Sequence, residues 1–198
     1  ATPTRTGYTF AGWYNEAAGT TAFDFSTPIT GTRTLYAKWT TNGYTLSFDT
    51  DGGSSVSSKT VTYNTAIGTL STPTKAGYTF AGWTIDGTAE TSSTGYTYTS
   101  NKTAVANWTA NGYTLSFNTD GGSAVSSKGV TYNSAIGTLS TPTRAGYTFT
   151  GWTIDGTSVT SSTVYTYTTN KTAKANWNVI KYRVTYGDGA NDYVDVAQ

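Results

Sequence analysis

The sequence predicts a mainly β protein built as a tandem array of small repeats. Thr is the most abundant residue, Gly and Tyr are frequent, and the helix formers Leu and Glu are scarce, which favours half-buried strands over helices. Apolar residues alternate with hydroxyl-bearing residues along several short segments, the pattern of a strand with one buried face. Residues 43–108 recur at 112–177 with about eleven differences, a period of about 69 residues. This period indicates an array of small domains, and we expect the array to form an elongated rod.

The repeat register divides the chain into four segments. We expect complete repeats at residues 42–110 and 111–179, the C-terminal part of a repeat at 1–41, and the first strand or strands of a further repeat at 180–198. Because the chain starts and stops within a repeat, we expect an internal segment of a longer protein. The alternative is a fibre in which one molecule's tail completes the next molecule's head, but neither end would supply about ten residues equivalent to 61–70.

The first half of the complete repeat predicts two strands and an irregular crossing. Residues 44–48 alternate aromatic and aliphatic side chains with hydroxyls, residues 49–53 (Asp-Thr-Asp-Gly-Gly) predict a tight turn, and residues 60–63 alternate again. Residues 64–70 are too short and too poor in helix formers for a regular helix. We expect one helical turn or an irregular segment there that places Ile67 and Leu70 in the core.

The second half of the repeat predicts three further strands. Residues 77–85 form the third strand, and the Asp-Gly pair directly after it is a strong signal for a two-residue hairpin turn. Residues 96–98 (Tyr-Thr-Tyr) predict a short strand, and residues 104–108 predict the closing strand. Only residues 109–112 link this strand to the next repeat, so successive repeats should be held in a semi-regular relation.

Aromatic side chains must supply much of each core, because a domain of about 70 residues buries only about 60% of its unfolded surface. Each Trp that follows a Gly lies in an alternating strand, where a core role is commoner than a sugar-binding platform. The Tyr-Thr-Tyr segments are expected to be core or half-buried for the same reason. The predicted aromatic core residues are Phe48, Tyr78, Phe80, Trp83 and Trp108 in the first repeat and Phe117, Tyr147, Phe149, Trp152 and Trp177 in the second.

Composition excludes several classes of function. The net charge is +1 and the pI is near 8.0, so no strong field attracts nucleic acid or an anionic membrane. His, Cys and Met are absent, which rules out disulfides, thiolate nucleophiles, imidazole bases and His/Cys metal sites. No apolar run approaches the roughly 18 residues of a membrane helix. We expect no nucleic-acid partner and no membrane insertion in this segment.

The polar motifs favour structural interpretations over catalytic ones. Asp49 and Asp51 open like a calcium loop, but the later acidic ligands are missing, so a turn is the better interpretation. Glu16 and Glu90 are the only Glu residues, and Val159 replaces Glu90 in the second repeat, which argues against a catalytic carboxylate pair.

Lysine-based chemistry is equally unsupported. Lys59 and Lys128 follow Ser-Ser pairs, but they fit a solvated loop better than a general base for a Ser nucleophile. Lys38 and Lys174 share a repeat position that an isopeptide cross-link would need, yet Val105 fills it in the middle copy. We therefore predict no catalytic, cofactor-binding or metal-binding residues and no enzyme activity.

Three motifs give the chain a resemblance to a known family. Pro-Thr-(Lys/Arg)-x-Gly-Tyr-Thr-Phe-x-Gly-Trp occurs at 3–13, 73–83 and 142–152. Tyr-Thr-Leu-Ser-Phe-(Asp/Asn)-Thr-Asp-Gly-Gly precedes it in the complete repeats, and Leu-Tyr-Ala-Lys-Trp closes the first partial repeat at 35–39. These motifs resemble the Listeria–Bacteroides repeat, typified by the B-repeat of internalin B-like bacterial surface proteins. The chain departs from the pattern where Trp-Thr-Ile-Asp-Gly-Thr replaces the Trp-Tyr-Asn-Glu found at 13–16.

The resemblance implies an extracellular module on the bacterial cell surface, with a β-grasp-like fold and no catalytic residues to carry over. It implies stalk repeats of an adhesin-like protein that project a functional domain from the cell, with neighbouring repeats as the main contacts. The alternative is an adhesion module that binds a host or environmental protein or glycan receptor.

Overall fold

The protein is described by a computed structural model that covers residues 2–187 and 191–195, the last five as backbone only. These residues form strands and turns without a helix, which confirms the predicted mainly β class. In the same ranges, no helical segment has the length and apolar character that crossing a bilayer requires. The β-grasp-like relation implied by the resemblance stays a prediction.

The chain separates into two compact units. The first comprises the described residues up to Lys75 with Phe80–Trp108, and the second comprises Ala76–Thr79 with the described residues from Thr109 onward. Each unit holds most of one complete repeat together with part of a neighbouring one.

The first unit opens with a two-stranded antiparallel sheet, β1 (Tyr8–Tyr14) and β2 (Tyr36–Thr41). The first complete repeat then forms a five-stranded sheet in the order β4-β3-β7-β5-β6. Strands β3 and β7 run parallel, whereas β3–β4 and β5–β6 are antiparallel. The five strands are β3 (Gly43–Asp49), β4 (Lys59–Thr62), β5 (Tyr78–Ile85), β6 (Thr88–Glu90) and β7 (Lys102–Ala110).

The second complete repeat forms the same sheet in the order β11-β10-β12-β8-β9, again with one parallel pair, β8 and β12. An antiparallel hairpin of β13 and β14 follows it. The strands are β8 (Gly112–Asn118), β9 (Lys128–Thr131), β10 (Tyr147–Ile154), β11 (Thr157–Val159), β12 (Lys171–Val179), β13 (Lys181–Thr185) and β14 (Asn191–Asp195).

The central strand of each repeat carries small buried side chains. In β7, Ala104 and Ala106 are 1% and 4% exposed, and they alternate with exposed residues as the period-2 pattern requires. Small side chains on the central strand leave room above the sheet for the larger rings of the cluster. The remaining buried members of this cluster are Leu46, Val61, Ile67, Trp83, Ile85 and Tyr96.

The predicted aromatic core is confirmed at Trp83 and Trp152, which are 2% and 3% exposed. Phe80 is half-buried and packs edge-on against Trp83 at 5.4 Å and Trp108 at 5.5 Å between ring centroids, a favourable aromatic geometry. Phe149 repeats these contacts in the second repeat. Four more predicted rings are half-buried and pack against the clusters: Phe48, Trp108, Phe117 and Trp177. The prediction is wrong for Tyr78 and Tyr147, which are half-buried outside the clusters, and Tyr78 packs instead against the ring of Tyr132.

The predicted short strand at 96–98 is wrong. Tyr96 is fully buried, but its backbone pairs with the irregular segment rather than with a sheet: its amide donates to the Thr65 carbonyl at 2.8 Å and its carbonyl accepts from the Asn64 amide at 2.8 Å. The Tyr96 hydroxyl donates to the Ser100 carbonyl at 2.7 Å. Residues 64–70 are thus an irregular crossing without a helical turn, and Ile67 is buried as expected.

The predicted four-residue link between repeats is shorter in the structure. Thr109 and Ala110 continue β7, and Gly112 already begins β8, so Asn111 alone joins the two strands. Asn42 joins β2 to β3 in the same way. A single connecting residue leaves less backbone freedom than the predicted linker.

Candidate functional site

The first candidate site surrounds the connecting Asn. In the first unit, the Asn42 amide donates to the Gly7 carbonyl at 3.0 Å, and the Thr9 hydroxyl donates to Asn42 Oδ1 at 2.6 Å. Tyr63 packs edge-on against Tyr8 with 5.7 Å between centroids. We call these five residues the repeat joint.

Glycine is required at the repeat joint by two separate constraints. Gly7 has a φ of +77°, a conformation that L side chains rarely adopt. A Cβ on Gly7 would also lie 2.2 Å from the ring of Tyr63, far inside van der Waals contact. The Tyr63 ring therefore packs directly against the backbone of Gly7.

The second unit contains an equivalent joint. The Asn111 amide donates to the Gly77 carbonyl at 2.9 Å, and the Thr79 hydroxyl donates to Asn111 Oδ1 at 2.6 Å. Tyr78 and Tyr132 pack edge-on at 5.3 Å, and a Cβ on Gly77 would lie 2.4 Å from the Tyr132 ring. The Gly-Tyr-Thr of the sequence motif thus forms a contact surface as well as the start of a strand.

The second candidate site is a cavity beside the Gly-Trp pair of each complete repeat. Both cavities have a volume of about 330 Å³ and open to solvent. We call them the first-repeat cavity, lined by Thr69, Leu70, Phe80, Gly82, Trp83, Glu90, Thr91 and Ser92, and the second-repeat cavity, lined by Thr138, Leu139, Phe149, Gly151, Trp152, Val159, Thr160 and Ser161.

Local backbone geometry explains the Gly-Trp pair. The pairing of β10 with β12 shifts register between Phe149 and Gly151, a β-bulge in which Gly151 has a φ of +138°. The bulge directs Trp152 into the core, where Nε1 donates to the Ser140 carbonyl at 2.9 Å. Trp83 Nε1 donates to the Ser71 carbonyl at the same distance.

Glu90 is the one difference between the two cavity linings. Glu90 is the last residue of β6 and is 7% exposed. Its Oε1 accepts a 3.0 Å hydrogen bond from the Tyr98 hydroxyl. The other oxygen, Oε2, is buried and has no hydrogen-bond partner among the described residues. Burial, and then the hydrogen bond to Glu90 and its charge, raise the pKa of Tyr98 to about 12, so the phenol is the donor at neutral pH.

Sequence reasoning considered Glu90 only as half of a catalytic pair and missed its burial. The available signal was the Glu90/Val159 exchange. A position that accepts Val in a near-identical copy is expected to be buried, and a carboxylate there needs an explanation.

The Asp-Gly-Gly segments form turns, as predicted. Asp51 has a φ of +46°, and its amide donates to Asp49 Oδ1 at 3.0 Å. Lys75 Nζ donates to the Asp51 carbonyl at 2.6 Å and lies 3.2 Å from its carboxylate. In the second repeat, Lys174 Nζ lies 3.8 Å from Asp120. A lysine side chain thus forms an ion pair with an Asp of each turn, and the described residues contain no group of three or more His, Cys, Asp or Glu side chains that could hold a metal ion.

The expectation of a solvated loop at Lys59 and Lys128 is wrong. Both residues begin a strand, β4 or β9. Lys59 Nζ donates to the carbonyls of Ile67 and Thr69 at 2.7 and 2.9 Å, and Lys128 Nζ donates to Thr138 at 2.8 Å. These lysines tie the irregular crossing to the sheet edge because its carbonyl groups lack strand partners.

The remaining predicted polar residues make local structural contacts. Glu16 accepts hydrogen bonds from Thr20 and Thr21, and the Thr20 hydroxyl, as the largest cause, lowers the pKa of Glu16. Lys38 Nζ donates to the Gly19 carbonyl at 2.8 Å. The structure does not bring any of these groups together into a catalytic set.

Comparisons with known proteins agree with the repeat organisation. The family model described as the Listeria–Bacteroides repeat domain matches residues 1–38, 44–107 and 113–179. Internalin H of Listeria monocytogenes is 46% identical over 83 residues, which are 41% of this chain and 15% of that protein.

Two proteins of Evansella cellulosilytica are also similar. One, named "Putative membrane protein", is 39% identical over 122 residues, 58% of this chain and 18% of that protein. The other, named "Putative Gly-rich membrane protein", is 38% identical over 118 residues, 58% of this chain and 14% of that protein. The chain therefore spans less than a fifth of the length of each of these three relatives.

Proposed function

The chain belongs to the Listeria–Bacteroides repeat family, and from this membership we propose that it is a non-catalytic spacer in a bacterial cell-surface protein. Its repeats would set the distance between the cell and a domain elsewhere in the parent protein. The domain division proposed for this role is a partial repeat at 1–41, complete repeats at 42–110 and 111–179, and the start of a further repeat at 180–198.

The observation that carries this proposal is the recurrence of the repeat joint. Gly7 with Tyr63 and Gly77 with Tyr132 use the same close approach of a Tyr ring to a left-handed Gly, and a single Asn connects the strands in both cases. A spacer needs a joint that is reproduced at each step, since its length is the sum of its units. The five residues of each joint carry no charged side chain.

The surface location is supported by the relatives. The segments similar to this chain are 15% of Internalin H and 18% and 14% of the two proteins named as membrane proteins. A module that matches a small share of several different proteins suits a connecting role.

The alternative function is a receptor- or glycan-binding adhesion module. Such a module usually exposes a cluster of aromatic rings, but in the complete repeats Trp83, Trp152, Tyr96 and Tyr165 are buried. A glycan array probed with the labelled chain distinguishes the two. We expect no saturable binding, and saturable binding to a defined glycan would replace the spacer proposal with the adhesion module.

A further inference from the structure

The first-repeat cavity is lined by Glu90, and only one of the two carboxylate oxygens of Glu90 has a hydrogen-bond partner among the described residues. The side chain of Glu90 is only 7% exposed. Its Oε1 accepts a hydrogen bond from the Tyr98 hydroxyl. Oε2 is buried without a hydrogen bond from any described residue. A buried carboxylate oxygen without a donor is unfavourable, so this arrangement calls for a function or a ligand.

The second repeat shows that folding does not require the carboxylate. Val159 occupies the position of Glu90, is 6% exposed, and lines a cavity of the same volume, about 330 Å³. Tyr167 stands where Tyr98 stands and packs against Tyr165 at 5.3 Å, as Tyr98 packs against Tyr96. The two repeats therefore offer one cavity with a carboxylate and one matched cavity without it.

We propose that the first-repeat cavity binds a primary ammonium group carried on a short apolar stem. The ammonium would donate to Glu90, and the stem would lie against the wall formed by Leu70 and Phe80. The hydroxyls of Thr91 and Ser92 at the exposed rim would accept the remaining N–H groups. This proposal is independent of the spacer role.

Other ligand classes fit the lining less well. Trp83 is only 2% exposed, so it lacks the open face on which a sugar ring would stack. A divalent cation needs several oxygen ligands with more than one carboxylate in most sites, and Glu90 is the only acidic residue of the lining. An ammonium needs one carboxylate and hydroxyl acceptors, which is the set present.

The ligand has to displace solvent from the cavity before it reaches the carboxylate. Oε2 is shielded from solvent, so binding includes a small movement of the exposed rim at Thr91 and Ser92. Short alkyl stems fit this requirement better than branched or quaternary ammonium groups. We therefore expect tetramethylammonium to bind more weakly than a primary amine.

The indole N–H groups of the two repeats provide matched reporters within one chain. The full chain labelled with nitrogen-15 is titrated with n-butylammonium chloride at constant ionic strength, with n-butanol as the neutral control. We expect saturable shifts at the Trp83 Nε1–H signal and no saturable shift at Trp152. Equal shifts at both signals, or equal effects of n-butanol, would overturn the proposal.

Reciprocal substitutions locate the site. Glu90→Val makes the first-repeat cavity match the second, and it should weaken butylammonium binding at least tenfold, because the charged hydrogen bond is lost. Val159→Glu should create saturable shifts at Trp152. Glu90→Gln, which keeps the side-chain shape, should also weaken binding. Unchanged binding in Glu90→Val or Glu90→Gln would contradict the proposal even if Val159→Glu does not fold.

A last arm distinguishes a free amine from a lysine side chain as the natural source. Nα-acetyl-lysine methylamide is titrated beside n-butylammonium. Equal affinities indicate that a lysine of a partner chain can enter the cavity, whereas binding of n-butylammonium alone indicates a free amine. Absence of saturable binding by both probes in the unmodified chain would overturn the proposal.

Discussion

Trp83 joins the hydrophobic cluster of its repeat to the loop before β5. The ring is 2% exposed, packs edge-on against Phe48 at 4.8 Å and Phe80 at 5.4 Å, and its Nε1 donates to the Ser71 carbonyl. Removing the ring loses its burial and leaves a void, while the Ser71 carbonyl loses its donor.

We predict that Trp83→Ala lowers the free energy of unfolding of its repeat by about 3–5 kcal/mol. Urea denaturation, followed through the amide NMR signals of each repeat, measures this change. The signals of the second repeat, with Trp152 intact, serve as the internal control. An unchanged midpoint in the first repeat would mean that Trp83 is not a core residue.

The pKa of Tyr98 tests the hydrogen bond between the Tyr98 hydroxyl and Glu90. Its pKa is raised from the usual 10.0 to about 12, first by burial and then by the hydrogen bond to Glu90 and its charge. A phenol whose pKa is raised on folding stabilises the folded state below pH 10, and this contribution is lost as pH rises from about 10 to about 12.

In Glu90→Val, we predict that the pKa of Tyr98 falls but stays above that of an exposed Tyr, because burial remains. Titration of the Tyr98 ring carbon signal by NMR measures the change, with Tyr167, the ring at the same position of the second repeat, as the matched comparison. The contact would be refuted if the pKa of Tyr98 did not fall in the variant.

The sequence allowed the buried tryptophans to be predicted but not the buried Glu90. A Trp that follows a bulge Gly on the apolar face of an alternating strand is directed into the core. The burial of Glu90 depends on the loop that brings the Tyr98 hydroxyl to it, and no local pattern specifies that approach. The hydrogen bonds of Lys59 cannot be predicted from the sequence for the same reason, because their carbonyl acceptors belong to an irregular crossing.

At the scale of the strands, the alternation of apolar and polar side chains predicted most of the strands. The strands predicted at 44–48, 60–63, 77–85 and 104–108 correspond to β3, β4, β5 and β7. The parallel pairing of β3 with β7 joins residues such as Leu46 and Lys102 that are far apart in sequence, so no local signal announces it.

The segment at 96–98 shows where alternation misleads. Tyr-Thr-Tyr has the pattern of a strand, but the backbone of Tyr96 pairs with Asn64 and Thr65 of the irregular crossing. Tyr96 is buried because its ring enters the core from a loop, whose backbone is satisfied by another loop.

The repeat joint gives a prediction at the same scale. Gly7→Ala places a Cβ 2.2 Å from the Tyr63 ring at a φ of +77°, so both strain and a clash oppose it. We predict loss of the Tyr8–Tyr63 ring contact and of the protection of the Asn42 amide against hydrogen exchange. Amide exchange and ring-to-ring NOEs measure these changes.

Gly87→Ala is the matched control for the joint. Gly87 has a φ of +81° in the same unit, but a Cβ there meets nothing within 4 Å. Its substitution should cost only the backbone strain, about 1–2 kcal/mol. If Gly7→Ala perturbs the chain no more than Gly87→Ala, the Tyr63 contact does not form the joint.

At the scale of the whole molecule, the spacer proposal requires that each added repeat lengthens the chain by a fixed step. Residues 43–108 and 112–177 differ at eleven positions, yet the two complete repeats share strand order, cavity and joint. Near-identity of the units is what a spacer needs, because each unit performs the same task at a different distance.

Small-angle X-ray scattering on the full chain and on a variant that lacks residues 43–111 tests this claim most directly. The deletion places Gly112 directly after Asn42, so the sequence Asn-Gly-Tyr-Thr at the joint is preserved. We predict that the maximum dimension falls by the length of one repeat while the cross-sectional radius stays constant. A radius of gyration of about 16 Å for the full chain, the value expected for a single compact domain of its length, would contradict the account.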